Sequence, residues 1–192
     1  LARVTKPGRI NAVHCTDVIT NTTRHNLWDF PHEIIKLYEK HGFTYNNRIT
    51  IWKEPLEVRM RTMVQSLTHK NIVEDSTRCF TAIPDYVLIF RKGGENKVPV
   101  THEHGLVDFP YFGETPFLEM HKKTYGNYED FVKKYKDEKD PKKNKLSHLT
   151  WQRYASSVWD DIRIDNVLPF RDSKEEDDEK HVHPLQLDVI DR

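Results

Sequence analysis

Apolar and polar positions along the first half of the chain follow two different periods, and the switches between them mark its elements. After the turn Lys6-Pro7-Gly8, the short apolar stretch from Ile10 to Cys15 predicts a strand. In GFTYNNRITIWKEP, residues 42 to 55, Ile49 and Ile51 point one way in an extended chain while Thr50 and Trp52 point the other. This is a strand with two differently covered faces, ended by Lys53, Glu54 and Pro55. Between the two strands Pro31 stands at a helix start, Ile34, Leu37, Tyr38 and His41 share one face, and Gly42 follows the end. The order is therefore β-α-β. The Thr-, Asn- and Asp-rich loop from Thr16 to Asn26 lies at the carboxyl end of the first strand, the edge where ligands sit in open α/β sheets. His14 and Asp17 fall there and are pocket candidates, or simply members of a capped loop.

From Leu56 to about Lys70 apolar residues recur at Leu56, Met60, Met63, Val64 and Leu67 among Arg59, Arg61, His69 and Lys70, which predicts a helix with a basic side. Such a side is either solvated or turned to nucleic acid. Tyr86-Val87-Leu88-Ile89-Phe90 does not alternate at all, and predicts a strand buried on both faces and central to the sheet. Beyond Asn96 the texture changes to Pro, Gly, His and aromatics, then to a Lys-rich tract from Lys133 to Lys145. It reads as an insertion with one helix near Tyr128 to Lys136 and a mobile loop after it. Trp151-Gln152-Arg153-Tyr154 and Val158-Trp159 return to packable sequence, and the charge run from Asp172 to Lys180 reads as a solvated loop. Pro184 stands at a final helix start, with Leu187 and Ile190 able to share one face. The organisation expected is an α/β core over 1–95 with a basic helical excursion at 55–80, an insertion over 96–150 that is a possible target-recognition region, and a return to the core over 151–192.

Lys plus Arg and Asp plus Glu both number 30, so an anionic partner must be met by a local basic patch. Cys15 and Cys79 make no disulfide framework and suggest two free thiols in a reducing, cytoplasmic setting. No apolar run approaches the length of a membrane span. The sequence opens Leu-Ala-Arg-Val, without an initiator Met, and stops at Asp191-Arg192 inside a predicted helix, so it reads as an internal piece of a longer protein.

Five segments taken together, VTKPGRINAVH, HGFTYNNRITIWKEP, PDYVLIFRKGGEN, WQRYASSVWDDI and EKHVHPLQLDVIDR, resemble the DNA amino-methyltransferases. They occur in the order found in the phage-like and bacterial members, and they touch most of the chain outside the insertion. The resemblance implies a partial, mixed Rossmann-like sheet with helices on its faces. It also implies methyl transfer from S-adenosylmethionine to the N6 amine of adenine or the N4 amine of cytosine in double-stranded DNA. An exocyclic amine is a poor nucleophile because its lone pair is delocalised into the ring, so the base is flipped out and the amine held between hydrogen-bond acceptors. In the family these come from an Asp/Asn/Ser-Pro-Pro-Tyr/Phe tetrapeptide, and a Gly-rich turn binds the cofactor. In the order resembled here the tetrapeptide falls before the first match and the turn after the last, and neither is in this sequence. Asp108-Phe109-Pro110-Tyr111 has Phe where the first Pro belongs and no apolar strand before it, so it is not that tetrapeptide.

The resemblance carries His183, Pro184 and Gln186 over as cofactor contacts, and sets Trp159 near the mouth of the site. Arg59, Arg61, Lys70 and Arg78 lie between two core strands, where members often place recognition elements, and are candidate DNA contacts. No residue of this sequence is assigned to catalysis or to a metal. Two other classes stay open: a module that binds DNA without modifying it, and a metal-dependent hydrolase suggested by His102-x-His104 and His181-x-His183.

Overall fold

A computed structural model describes residues 1–21, 26–64, 66–78, 80–109, 119, 122–123, 126–167 and 185–192. The chain divides into two compact units, Leu1–Val100 and Thr101–Arg192. The first contains β1 (Ile10–Thr16), β2 (Val18–Asn21), β3 (Asn26–Trp28), α1 (Phe30–Lys40), β4 (Phe43–Ile51), α2 (Pro55–Thr62), α3 (His69–Glu74), a 3-10 turn at Ser76–Arg78, and β5 (Asp85–Lys92). The second contains α4 (Tyr128–Tyr135), α5 (Lys145–Tyr154), the two-residue strand β6 (Val158–Trp159) and α6 (Leu187–Asp191).

Both strand pairs in the main sheet of the first unit are antiparallel. β5 lies between β1 and β4 and runs antiparallel to both, with His14 opposite Val87 on one side and Ile49 opposite Val87 on the other. β1 and β4 are therefore parallel to one another with the reversed strand between them. The unalternated run in β5 has its expected cause: Leu88 and Phe90 are wholly buried on one face and Val87 is buried on the other. Near Asn46 the register of β4 slips by one residue, so Phe43 and Tyr45 before the slip and Arg48 and Thr50 after it share a face. Without that bulge the aromatic end and the Arg48 end of β4 would face opposite ways.

α1 covers the Leu88 and Phe90 face, with Ile34, Ile35 and Tyr38 against the cluster and the Tyr38 ring stacked 4.2 Å from that of Phe90. Asp29 caps the helix by accepting from the His32 backbone N–H at 3.0 Å. Leu37, read as part of the inner face, is instead 50% exposed, because Pro31, Ile34, Ile35 and Tyr38 complete a stripe that passes beside it. The stretch expected to be a loop after β1 contains β2 and β3, paired antiparallel. The single helix expected from Leu56 to Lys70 is two: α2 stops where Met63 adopts a left-handed backbone, φ 55°, and α3 starts afresh from a Thr68 cap.

In the second unit α4 and α5 pack Phe131, Leu146 and Leu149 together, with Val107, Tyr128, Val132 and Tyr135 around them. Where the sequence predicts a mobile loop after α4, the chain makes a hydrogen-bonded turn. Asn144, completely buried, donates its amide to the Glu138 carbonyl at 2.8 Å and accepts from the Ser147 backbone N–H at 3.1 Å, capping α5. Gly105 approaches this cap so closely that a Cβ there would lie 2.4 Å from Ser147 Oγ, and its φ of 76° also favours glycine. Among the described residues no helix is long and apolar enough to cross a membrane.

Candidate functional site

Residues far apart in the first unit meet at one edge of its sheet because of strand direction. β1 and β4 both end where β5 begins, with Thr16 and Ile51 each opposite Asp85. Alternation then sorts side chains between the faces. On one face stand His14, two residues short of the end of β1, Lys53, two residues past Ile51, and Asp85 itself. The buried Asp85 carboxylate accepts from Lys53 Nζ at 2.6 Å. Its other oxygen lies 3.2 Å from His14 Nε2, an electrostatic contact outside hydrogen-bond geometry. Burial alone would raise the Asp85 pKa, but His14 and Lys53 outweigh it and hold the group below the ordinary carboxylate range.

The opposite face carries Asp17, Cys15, Tyr86 and Arg48. The Tyr86 hydroxyl donates to Asp17 at 3.5 Å, and the Arg48 guanidinium lies 4.8 Å from the centre of the Tyr86 ring. Burial, helped by the Asp29 charge, pushes the Asp17 carboxyl up. Burial also pushes the Cys15 thiol up to about 11, against the pull of Arg48, so it stays protonated and unreactive at neutral pH. His14 and Asp17, paired as pocket candidates, thus occupy the same edge of the sheet but opposite faces.

The four candidate DNA contacts do not form one stripe. Arg59 and Arg61 are on α2, Lys70 on α3, and Arg78 ends the 3-10 turn. Arg59 reaches Met63 Sδ at 3.6 Å, and Lys70 pairs with Glu74 at 3.5 Å on the open surface. Arg59 also lines a groove of about 450 Å³ with Leu56, Leu67, Ile72 and Phe80.

The second unit has two charge clusters of its own. Arg153 Nε donates to Asp161 at 3.0 Å, its guanidinium also engages Asp160, and Arg192 donates to the same Asp161. The Arg192 guanidinium lies 4.9 Å from the centre of the buried Trp159 ring. Asp188, fully buried on α6, accepts from Arg163 Nη2 at 2.6 Å and Nε at 3.0 Å, from the Arg163 backbone N–H at 2.8 Å and from Asn166 at 2.6 Å. Burial would raise the Asp188 pKa, and these donors together lower it. α6 is therefore anchored by a carboxylate, whereas the sequence suggested an apolar face of Leu187 and Ile190, and Ile190 is exposed.

Gln186 is the residue immediately before α6, bridged to Val167, and its buried Oε1 has no hydrogen-bond partner among the described residues. An orphaned acceptor of this kind fits an N–H-bearing ligand group, such as the amino end of S-adenosylmethionine. His183 and Pro184, the other expected cofactor contacts, lie outside the described residues, as does His181. His102 packs edge-on against Phe109 at 5.3 Å, and Phe109 against Tyr154 at 5.4 Å. No group of three His, Cys, Asp or Glu able to hold a metal occurs among the described residues.

Sequence reasoning missed Lys53, Asp85, Arg153, Asp161, Arg163 and Asp188. The available signal for the first two was parity: Lys53 continues the Ile49, Ile51 face past the strand end, and Asp85 is a lone carboxylate opening the most apolar strand. The clusters of the second unit carry no such local mark.

No family model matches the chain, and no curated protein matches it. Among solved structures, a Thermus thermophilus protein named as a candidate DNA modification methylase resembles it with a TM-score of 0.41 at 17% identity. The alignment covers 84% of this chain and 45% of that one, so the chain spans less than half the length of the protein it matches.

Proposed function

We propose that this chain is the scaffold section of a site-specific DNA methyltransferase acting on the exocyclic N6 of adenine or N4 of cytosine. One observation supports the reading above the others. Three of the five family-like segments, well separated along the chain, bring His14, Lys53 and Asp85 together around one buried carboxylate at the edge of the sheet where β1 and β4 end. Segments that co-occur for unrelated reasons have no cause to converge on one carboxylate. The remaining two segments behave alike, since Arg153, Asp160 and Asp161 come from one and Arg192 from the other.

In this reading the Asp85 cluster ties the carboxyl ends of β1 and β4 to the start of β5, so that the edge facing cofactor and base is fixed before either arrives. Gln186 contributes an acceptor to the cofactor's amino end, with His183 and Pro184 beside it in sequence, and Trp159 lies in the segment near the mouth. S-adenosylmethionine, when bound, supplies the methyl group. The acceptors that hold the target amine belong to a tetrapeptide that this sequence does not contain. Lys70 and Arg78 are the cations assigned to DNA phosphates, because their surface positions leave them free to re-pair.

The test is a methyl-transfer assay with labelled S-adenosylmethionine and duplex DNA, followed by nucleoside analysis. The 192-residue chain alone is expected to transfer nothing, and the chain produced together with its flanking coding sequence is expected to yield N6-methyladenine or N4-methylcytosine. Salt-dependent DNA binding by that longer protein with neither modified base and no cofactor binding would replace the proposal with a non-catalytic recognition module.

A further inference from the structure

At the end of the sheet opposite Asp85, where β1 and β4 begin and β5 finishes, the chain gathers cations. β5 ends on Arg91 and Lys92, with Arg91 opposite both Ile10 and Thr44. Backbone hydrogen bonds fasten the neighbouring turns to it. The Gly8 N–H donates to the Lys92 carbonyl at 3.0 Å, the Lys92 N–H to the Arg9 carbonyl at 2.8 Å, and the Gly93 N–H to the Gly42 carbonyl at 3.1 Å. Lys6 comes to the same end, because its carbonyl accepts from the Arg9 N–H at 3.2 Å. Gly8 lies so close to Asn96 that a Cβ there would stand 2.4 Å from the Asn96 backbone nitrogen, which sets Lys97 alongside. Lys40 ends α1, which turns through Gly42 into β4.

Two of these cations are held in place and keep their charge: Arg9 Nη2 donates to the Val98 carbonyl at 3.0 Å, and Lys92 Nζ lies 5.1 Å from the centre of the Phe43 ring. Lys6, Lys40, Arg91 and Lys97 are exposed. Among the described residues none of the six pairs with a carboxylate, although Glu39 and Glu95 occur in the same stretches. Exposed lysines elsewhere do find acids, as Lys36 does with Glu33, Lys70 with Glu74 and Lys143 with Asp140. Like charges brought together by strand register repel one another, so this end of the sheet calls for an anion from outside the chain.

The spread of the cations narrows the kind of anion. Neighbouring strands lie about 4.8 Å apart, so the row from β1 through β5 to β4 is about 10 Å wide before the turns are added. An isolated phosphate meets one or two of these groups, and one exposed ion pair is worth at most about 1 kcal/mol. A polyanion meets several at once and releases a counterion at each. The exposed apolar residues here, Val4, Ile10 and Val98, are aliphatic, while Phe43 and Phe90 are buried, so the surface has no aromatic anchor of the kind that seats a protein in a lipid interface.

We propose that this end of the sheet binds the phosphate backbone of duplex DNA without reading its sequence, as a second surface besides Lys70 and Arg78. The choice of DNA rests on the methyltransferase reading, whereas the need for a polyanion does not. The test is fluorescence anisotropy of the 192-residue chain with short labelled duplexes of unrelated sequence over a range of salt. Lys6→Gln, Arg91→Gln and Lys97→Gln combined are expected to weaken binding at least about tenfold for every duplex, and to flatten the slope of log Kd against log salt by about 2 to 3. Lys36→Gln, Lys133→Gln and Lys143→Gln combined remove the same net charge elsewhere and are expected to leave the slope nearly unchanged. Circular dichroism checks that both variants are folded. No salt-dependent duplex binding by the wild type, an unchanged slope in the first variant, or equal losses in the two would overturn the proposal. So would a first variant that keeps its duplex binding and loses binding to phosphatidylserine vesicles, which would give the surface to a membrane. Methyl transfer is a separate readout: a longer protein that methylates DNA, with a slope indifferent to the first variant, would remove this surface and leave the methyltransferase reading standing.

Discussion

The two units of this protein are held together by different physics. The first is built on aromatic and aliphatic burial, with Phe43, Leu88 and Phe90 packed under Tyr38, Ile34 and Ile35, and its one strongly buried carboxylate among the described residues, Asp85, sits at the sheet edge with Lys53 and His14 at hand. The second has a smaller apolar cluster around Phe131, Leu146 and Leu149, and its later segments are joined through Arg153, Asp161, Arg192, Arg163 and Asp188. Burial of apolar surface is indifferent to direction, whereas a buried carboxylate must be met by donors at fixed geometry. The first unit therefore gains most of its cohesion from composition and alternation, and the second gains specificity from a few placed charges.

The largest effects should come from the centre of each unit, and they separate the two causes. Phe90→Ala should cost about 3–5 kcal/mol through lost burial and the cavity left behind. Arg153→Ala should cost a similar amount, about 3–5 kcal/mol, because it leaves Asp161 with a buried charge less fully compensated. Hydrogen exchange distinguishes them: Phe90→Ala should lower protection in β5 first, and Arg153→Ala in α5. Equal loss in both elements after either change would erase the distinction drawn here.

Smaller, and lost in acid, is the effect of Asp85→Asn, about 1–3 kcal/mol at neutral pH. The native Asp85 pKa is depressed, so the unfolded chain binds the proton more readily. The contribution is complete above the unfolded value, about pH 4, and is lost as pH falls through the lower native value. The difference in urea midpoint between the wild type and Asp85→Asn should accordingly narrow below about pH 4. A gap that stays constant down to strong acid would mean that Asp85 contributes through shape alone. Smallest of all is the contrast on α1: Ile35→Ala should cost about 2 kcal/mol, and Leu37→Ala less than about 0.5 kcal/mol, in thermal or urea unfolding.

Much of the first unit was legible because its elements obey local rules. β4 follows the alternation and β1 and β5 the apolar runs, α1 carries Pro31 near its start and Gly42 past its end, and the uninterrupted run of β5 indicated the centre of the sheet. The departures have local causes that a periodicity cannot report. Met63 takes a left-handed backbone and cuts one expected helix into α2 and α3, and α1 turns Ile35 rather than Leu37 inward. Of the candidate site residues, His14 and Asp17 reach the sheet edge, Gln186 offers a buried acceptor, and Arg59, Arg61, Lys70 and Arg78 lie scattered over α2, α3 and the turn that follows.

What the sequence determined by itself is periodicity and turn chemistry, because these act between neighbours a few residues apart: where strands and helices lie, which strand is buried on both faces, and the order of the five family-like segments. What only the tertiary structure decided is which charges meet. Asp85 finds His14 and Lys53 because β5 runs against both its neighbours, and Asp188 finds Arg163 and Asn166 across a long intervening stretch of chain. An ion pair needs its partners within a few ångströms and leaves no repeating trace along the chain, so its partners become visible only when the backbone has brought them together.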